Sequence, residues 1–133
     1  MSSNKNTILL IEDEESLITL YSTLFKLKYK VIVARNKEEA FEKVEANSID
    51  LVLLDIIIPT EESQNIDYNK RAGFEFLKEI KARDKFKKLK VIVLTNLDST
   101  VDRKKALELG ASEYIVKSNM LPNEILEVVE NIF

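Results

Sequence analysis

Leu51-Val-Leu-Leu-Asp55-Ile-Ile-Ile-Pro59 is the stretch that decides how this chain is read. Leu51–Leu54 is uniformly apolar, the pattern of a parallel strand buried on both faces. A carboxylate inside such a run is expensive to bury. The strand is therefore expected to end near Leu54, leaving Asp55 at its C-terminal tip and facing a polar crevice. Pro59 cannot donate to a sheet ladder, so the strand has ended by that point. In an open α/β sheet, ligands and chemistry sit in the crevice beyond the strands' carboxyl ends. Asp55 is thus the residue to explain, against the plain alternative that it only starts a turn.

Outward from that run, the chain alternates strand and helix signals. Thr7–Ile11 reads as a first strand, followed at once by Glu12-Asp13-Glu14-Glu15. Leu17, Leu20, Tyr21 and Leu24 recur at helical spacing, with Ile18 and Phe25 widening the stripe, which predicts a helix over about 14–27. Val31–Ala34 reads as a second strand. Asn36 with Glu39 three residues on reads as an N-cap and capping box, opening a helix that buries Ala40, Phe41 and Val44. After Pro59 comes a polar connection over 60–72 without an apolar period, longer than is usual inside a domain. Phe74, Leu77 and Ile80 mark a third helix, and Val91–Leu94 a strand ending at Thr95. Val101, Ala106, Leu107 and Leu109 mark a weaker helix closed by Gly110. Glu113–Val116 is a fifth short strand ending at Lys117. Ile125, Val128, Val129 and Ile132 form a last amphipathic helix with Pro122 in its first turn. Five such units predict an α/β fold with a parallel sheet covered on both faces.

Composition removes several function classes. With 133 residues, 45% hydrophobic and 32% charged, the chain is expected to form one soluble domain over 1–133. A net charge of −3 offers no basic footprint for nucleic acid. No Cys is present, which excludes disulfides and thiolate chemistry, and no His, which excludes histidine bases and triads. There is no G-x-G-x-x-G and no P-loop among only two glycines. The polar start Met1-Ser-Ser-Asn-Lys-Asn6 lacks a signal-peptide core, and no apolar stretch is long enough to span a bilayer; a cytoplasmic location is expected.

Four strand ends then carry polar groups: Glu12 and Asp13, Asp55, Thr95 and Lys117. Each has a plain reading of its own, as helix-start acids, a cap, or a solvated lysine. The topology, however, brings all five to one edge. Three carboxylates in one crevice repel unless a cation joins them. Oxygen-only donors suit Mg²⁺, and a carboxylate beside it is a candidate nucleophile for phosphoryl transfer.

As an ordered set, Ile8-Leu-Leu-Ile-Glu-Asp13, Asp50-Leu-Val-Leu-Leu-Asp55-Ile-Ile-Ile-Pro59, Gly73-Phe-Glu-Phe-Leu, Val91-Ile-Val-Leu-Thr95 and Gly110-Ala-Ser-Glu-Tyr-Ile-Val-Lys117 resemble the CheY-like receiver domain of two-component response regulators. The resemblance covers essentially the whole chain. It implies a flavodoxin-like doubly wound (βα)5 sandwich with sheet order 2-1-3-4-5. It also implies a phosphoacceptor signalling domain rather than a dedicated enzyme, at most phosphorylating itself from small donors and dephosphorylating itself. Asp55 would accept a phosphoryl group from a sensor histidine kinase or histidine phosphotransfer protein. Glu12, Asp13, Asp55 and the main-chain carbonyl of Ile57 would hold Mg²⁺. Thr95 and Lys117 would contact the phosphoryl group, and Tyr114 would change rotamer as the Thr95 hydroxyl moves inward; its plain alternative is a surface tyrosine on an edge strand. The output implied is a shift of the fourth and fifth strand–helix surface towards a downstream protein or output domain, the chain acting as a monomer or a phosphorylation-dependent dimer.

The sequence departs from the family pattern at four places. Ser118 stands where a cis-proline usually follows the lysine, which puts that loop's geometry in question. Asn96 replaces a small residue beside the phosphoryl pocket. Ile57 is apolar beside the path of the water that would hydrolyse an aspartyl phosphate, implying slow self-dephosphorylation. About ten residues are inserted between Pro59 and Gly73, either as a tolerated surface insertion or as a segment contacting partners beside Asp55. A pseudo-receiver that binds proteins without being phosphorylated is the competing reading. A haloacid-dehalogenase-type hydrolase fits poorly, because Asp55 is followed by Ile56-Ile57 and not by a second Asp two residues on.

Overall fold

The computed structural model describes residues 5–61 and 71–133. Residues 62–70, which hold most of the expected insertion, lie outside the described residues. The elements run β1 (Thr7–Ile11), α1 (Glu15–Phe25), β2 (Lys30–Ala34), α2 (Lys37–Ala46), β3 (Leu51–Leu54), α3 (Ala72–Ala82), β4 (Lys90–Thr95), α4 (Thr100–Glu108), β5 (Glu113–Val116) and α5 (Pro122–Ile132). All five strands are parallel, in the order β2-β1-β3-β4-β5, as expected from the resemblance.

Strand alternation builds two apolar layers. Side chains in a strand point to opposite faces in turn, so Leu9, Ile11, Val52, Leu54, Val91 and Val93 face one way, where α2, α3 and α4 add Val44, Phe76, Leu77 and Ala106. Ile8, Leu10, Leu51, Leu53, Ile92 and Leu94 face the other way, onto α1 and α5 through Tyr21, Phe25, Ile125 and Val129. Both faces of the central strands are thereby dry, which explains their lack of polar residues.

Apart from Leu20 of the α1 stripe, which is 43% exposed, local signals hold with three corrections. Asn36 caps α2, its side chain accepting from the Glu39 N–H at 2.8 Å, but the return bond from Glu39 reaches the Arg35 N–H at 3.2 Å instead of the cap residue's own. Phe41 is half-buried rather than buried; its ring packs on Phe76 at 5.0 Å and under the Arg83 guanidinium at 5.4 Å. The third correction is α4, whose apolar pattern holds for Ala106 and for Leu109, which packs against the core, but fails at Val101 and Leu107. Val101 and Leu107 are exposed, while Asp102 and Ala106 are its buried residues.

Gly73 is where α3 meets the acceptor strand. Its N–H donates to the Ile56 carbonyl at 2.9 Å. A Cβ there would lie 2.5 Å from the Asp55 carbonyl oxygen and 2.6 Å from Ile56 Cα. Only glycine allows the helix to start this close to that backbone.

Candidate functional site

Strand register assembles the site before any side chain is considered. Ile11 is aligned with Leu54, and the Asp55 N–H donates to the Ile11 carbonyl at 3.2 Å, so Glu12 and Asp55 leave the sheet side by side. Thr95 is aligned with Val116, which places Lys117 one step beyond on the neighbouring strand. The result is a cavity of about 380 Å³ at the carboxyl edge, lined by Glu12, Asp13, Glu14, Asp55, Ile57, Thr95, Asn96, Leu97 and Lys117.

Lys117 is the hub of this cavity. Its Nζ donates to Asp55 Oδ2 at 2.8 Å and to Glu12 Oε1 at 2.5 Å, with all three side chains no more than 10% exposed. The Lys117–Ser118 bond is trans, there being no cis peptide among the described residues, and Lys117–Asn119 forms one 3-10 turn. Serine in place of proline therefore does not keep the ammonium from the acids. Ile57 donates its N–H to Asp55 Oδ1 at 3.2 Å, which gives the second acceptor oxygen a partner. Glu12 Oε2 accepts from the N–H groups of Asp13 and Glu14 at 3.1 and 3.2 Å. The loop after β1 thus curls around that carboxylate.

Charge is concentrated here. Burial pushes the Glu12 carboxyl up, against the opposing pull of Lys117, and Asp55 adds to the rise. Burial likewise pushes Asp13 up, with Asp55 contributing. For Lys117, burial works against the ammonium, but the Asp55 and Glu12 carboxylates outweigh it and hold its pKa above the ordinary value. One oxygen from each of Glu12, Asp13 and Asp55 lies within 4.8 Å of the others, a separation one ion can span. The donor set is entirely oxygen and fits a hard divalent cation.

Thr95 is 1% exposed, and its Oγ1 accepts from the Leu97 N–H at 3.4 Å. Asn96 is exposed at the cavity rim. Tyr114 does not line the cavity and is not a surface residue either. It is 6% exposed, and its hydroxyl donates to the Leu97 carbonyl at 2.8 Å in the loop between β4 and α4. Arg103 of α4 covers the ring at 4.9 Å and donates to the Tyr114 carbonyl at 3.2 Å. Burial, reinforced by Asp102, pushes the Tyr114 phenol up to about 12. Sequence reasoning missed Leu97, whose main chain joins Thr95 to Tyr114; backbone contacts leave no residue signature.

This combination of doubly wound parallel sheet, acidic crevice and buried lysine at the carboxyl edge defines a class of α/β domain whose site is made of strand ends. Within that class, the chain belongs to the response regulator receiver domain family, whose model matches residues 8–130. It is 35% identical over 111 residues to the alkaline phosphatase synthesis transcriptional regulatory protein PhoP of Bacillus subtilis, covering 83% of this chain but 41% of that protein. The chain spans less than half the length of that relative. Among solved structures it resembles the BeF3-activated N-terminal receiver domain of Klebsiella pneumoniae RstA (28% identity, TM-score 0.77, 94% of this chain and 96% of that one). It also resembles the Mn(2+)-bound form of response regulator Rcp1 (26% identity, TM-score 0.73, 96% and 91%). Among the described residues, no helix is long and apolar enough to cross a membrane.

Proposed function

We propose that the chain is a phosphorylation-dependent switch with Asp55 as the acceptor, taking its phosphoryl group from a phosphohistidine on a histidine kinase or phosphotransfer protein. The observation that carries this reading is the buried Lys117 ammonium bonded to both Asp55 and Glu12, with an Asp13 oxygen in reach of both acids. A carboxylate oxygen of Asp55 attacks phosphorus, the phosphorus–nitrogen bond to the donor imidazole breaks, and the nitrogen keeps the electron pair. Glu12, Asp13, Asp55 and the Ile57 carbonyl are the residues that would hold Mg²⁺, which neutralises charge on the transferring group. Lys117 would stabilise charge on a phosphoryl oxygen, and the Thr95 hydroxyl would donate to another.

About two negative charges then stand where there was one. Lys117 and Thr95 answer that change, and the Leu97 main chain, bonded to both Thr95 Oγ1 and Tyr114 Oη, passes it to α4 and β5. The surface of α4, β5 and α5 is the proposed output face for a downstream protein or output domain, in a single receiver domain acting in the cytoplasm. Intact mass after acetyl phosphate and Mg²⁺ treatment tests the proposal. A gain of one phosphoryl group, absent in Asp55→Asn and abolished by EDTA, is expected. No adduct on the wild type refutes it and favours the pseudo-receiver.

A further inference from the structure

Helix α4, with Ala106 as its one buried apolar residue, carries an ion pair that lies outside the acidic cavity. In α4, Asp102 and Ala106 are the buried residues, and Val101 faces solvent at 76% exposure. Its Asp102 carboxylate is 7% exposed and meets the Arg71 guanidinium in a fork, Nε to Oδ1 at 2.8 Å and Nη2 to Oδ2 at 3.3 Å. Arg71 is the last residue of the connection that leaves β3, and it precedes α3 directly. Two residues on, Gly73 bonds the Ile56 carbonyl and lies against the Asp55 main chain. The pair therefore joins α4 to backbone that touches the acceptor, and its charges also reach the Tyr114 phenol.

We propose that the Arg71–Asp102 pair is a latch that fixes α4 against the start of α3, so that the order of α4 is set from the β3–α3 connection as well as from Thr95 and Tyr114. Three features support this assignment. A forked guanidinium–carboxylate bond has a defined direction, unlike a point contact. Asp102 also sits in the first turn of its helix, where the backbone dipole favours the anion, and its own N–H is capped by Ser99 Oγ at 3.3 Å. Finally, a helix with so little apolar burial opens at low cost unless polar contacts hold it. Arg71 and Asp102 are positioning residues: neither lines the acidic cavity. The link to phosphorylation rests on Asp55 being the acceptor, whereas the latch itself does not.

Amide hydrogen exchange on the full chain without phosphoryl donor decides the latch. Arg71→Ala and Asp102→Asn are each expected to speed exchange of the α4 amides about tenfold, with α2 and α5 unchanged, because local opening governs their protection. The double variant is expected to match the single ones, whereas independent effects would multiply to about a hundredfold. Unchanged α4 exchange, equal loosening of every helix, or multiplied effects would each overturn the latch. Should a variant lose its fold by circular dichroism, Arg71→Lys, which keeps the charge and loses the fork, is read the same way. Acetyl phosphate and Mg²⁺ then test the link. Modification of Asp55 is expected at the wild-type rate in both single variants, while the wild-type change in α4 exchange on modification is lost. A retained change overturns the link, and failure of wild-type Asp55 to be modified sinks the acceptor reading without touching the first result.

Discussion

Replacing Lys117 with Met removes the ammonium that bonds both Asp55 and Glu12 while keeping an unbranched side chain of similar length. Lys117, Glu12 and Asp55 are 7%, 3% and 10% exposed, so water does little to screen the change. Removing one partner of a buried charge pair typically costs about 3–5 kcal/mol, because the other partner is left uncompensated. For a chain of this size that corresponds to a fall in Tm of roughly 10–20 °C.

The pH dependence follows from the acids left behind. Burial already holds the Glu12 carboxyl above its ordinary value of 4.5, and Lys117 opposes that rise. Without Lys117 the rise is larger. An acid raised in the folded state takes up its proton before the unfolded chain does, so its penalty is full above the folded pKa and disappears as pH falls towards the ordinary value. The Tm gap between wild type and Lys117→Met in EDTA should thus be widest near neutral pH and close on acidification. Millimolar Mg²⁺ should raise the variant's Tm more than the wild type's, since it supplies the missing positive charge. Differential scanning calorimetry across pH, with and without metal, reads all three. A neutral-pH gap below about 3 °C, less than the loss of 1 kcal/mol, or a gap independent of pH, would refute the reasoning.

Gly73→Ala forces a methyl group into the Asp55 and Ile56 backbone. It should cost about 1–3 kcal/mol and slow Asp55 modification by acetyl phosphate; an unshifted Tm would show that the contact relaxes freely. Ile57→Asn puts an amide able to hydrogen-bond water at the cavity wall where Ile57 now lies. The aspartyl phosphate should decay several-fold faster, and an unchanged lifetime rules out Ile57 as the reason for persistence. For Tyr114, the ordinary phenol value of 10.0 and the folded value of about 12 set the window. A proton held more tightly in the folded state gives stability that is full below pH 10 and lost as pH rises through the folded value. The ultraviolet titration difference between wild type and Tyr114→Phe should have its midpoint near 12; a midpoint near 10 would place the ring in water.

The sheet was legible because its strands are short apolar runs whose tips carry polar residues, and parallel topology alone then gathers Glu12, Asp55, Thr95 and Lys117 at one edge. Boundaries moved by a residue or two, as at Lys30 and Lys90, where exposed lysines extend ladders that hydrophobicity does not register. The helix α4 was legible, but its inward face only in part. Its periodicity suggests an apolar face containing Val101 and Leu107, yet Asp102 is turned inward because its partner Arg71 lies 31 residues away in the chain. Tyr114 was placed by family resemblance with a surface position as the alternative. Its burial depends on Arg103 and the Leu97 carbonyl, which no local pattern announces.

In this arrangement Lys117 serves two carboxylates at once, and that shared service ties the proposed steps together. Glu12 has no oxygen without a partner: Oε1 holds Lys117, and Oε2 holds the Asp13 and Glu14 N–H groups. Asp55 is likewise bonded at both oxygens, by Lys117 and by the Ile57 N–H. A cation entering among Glu12, Asp13 and Asp55 would compete with the ammonium for the same anions, and a phosphoryl group on Asp55 would draw the ammonium outward to its new charge. Each event thereby relieves a conflict created by the other. In thermodynamic terms this is reciprocal coupling: whatever the phosphoryl group gains from the metal, the metal gains from the phosphoryl group.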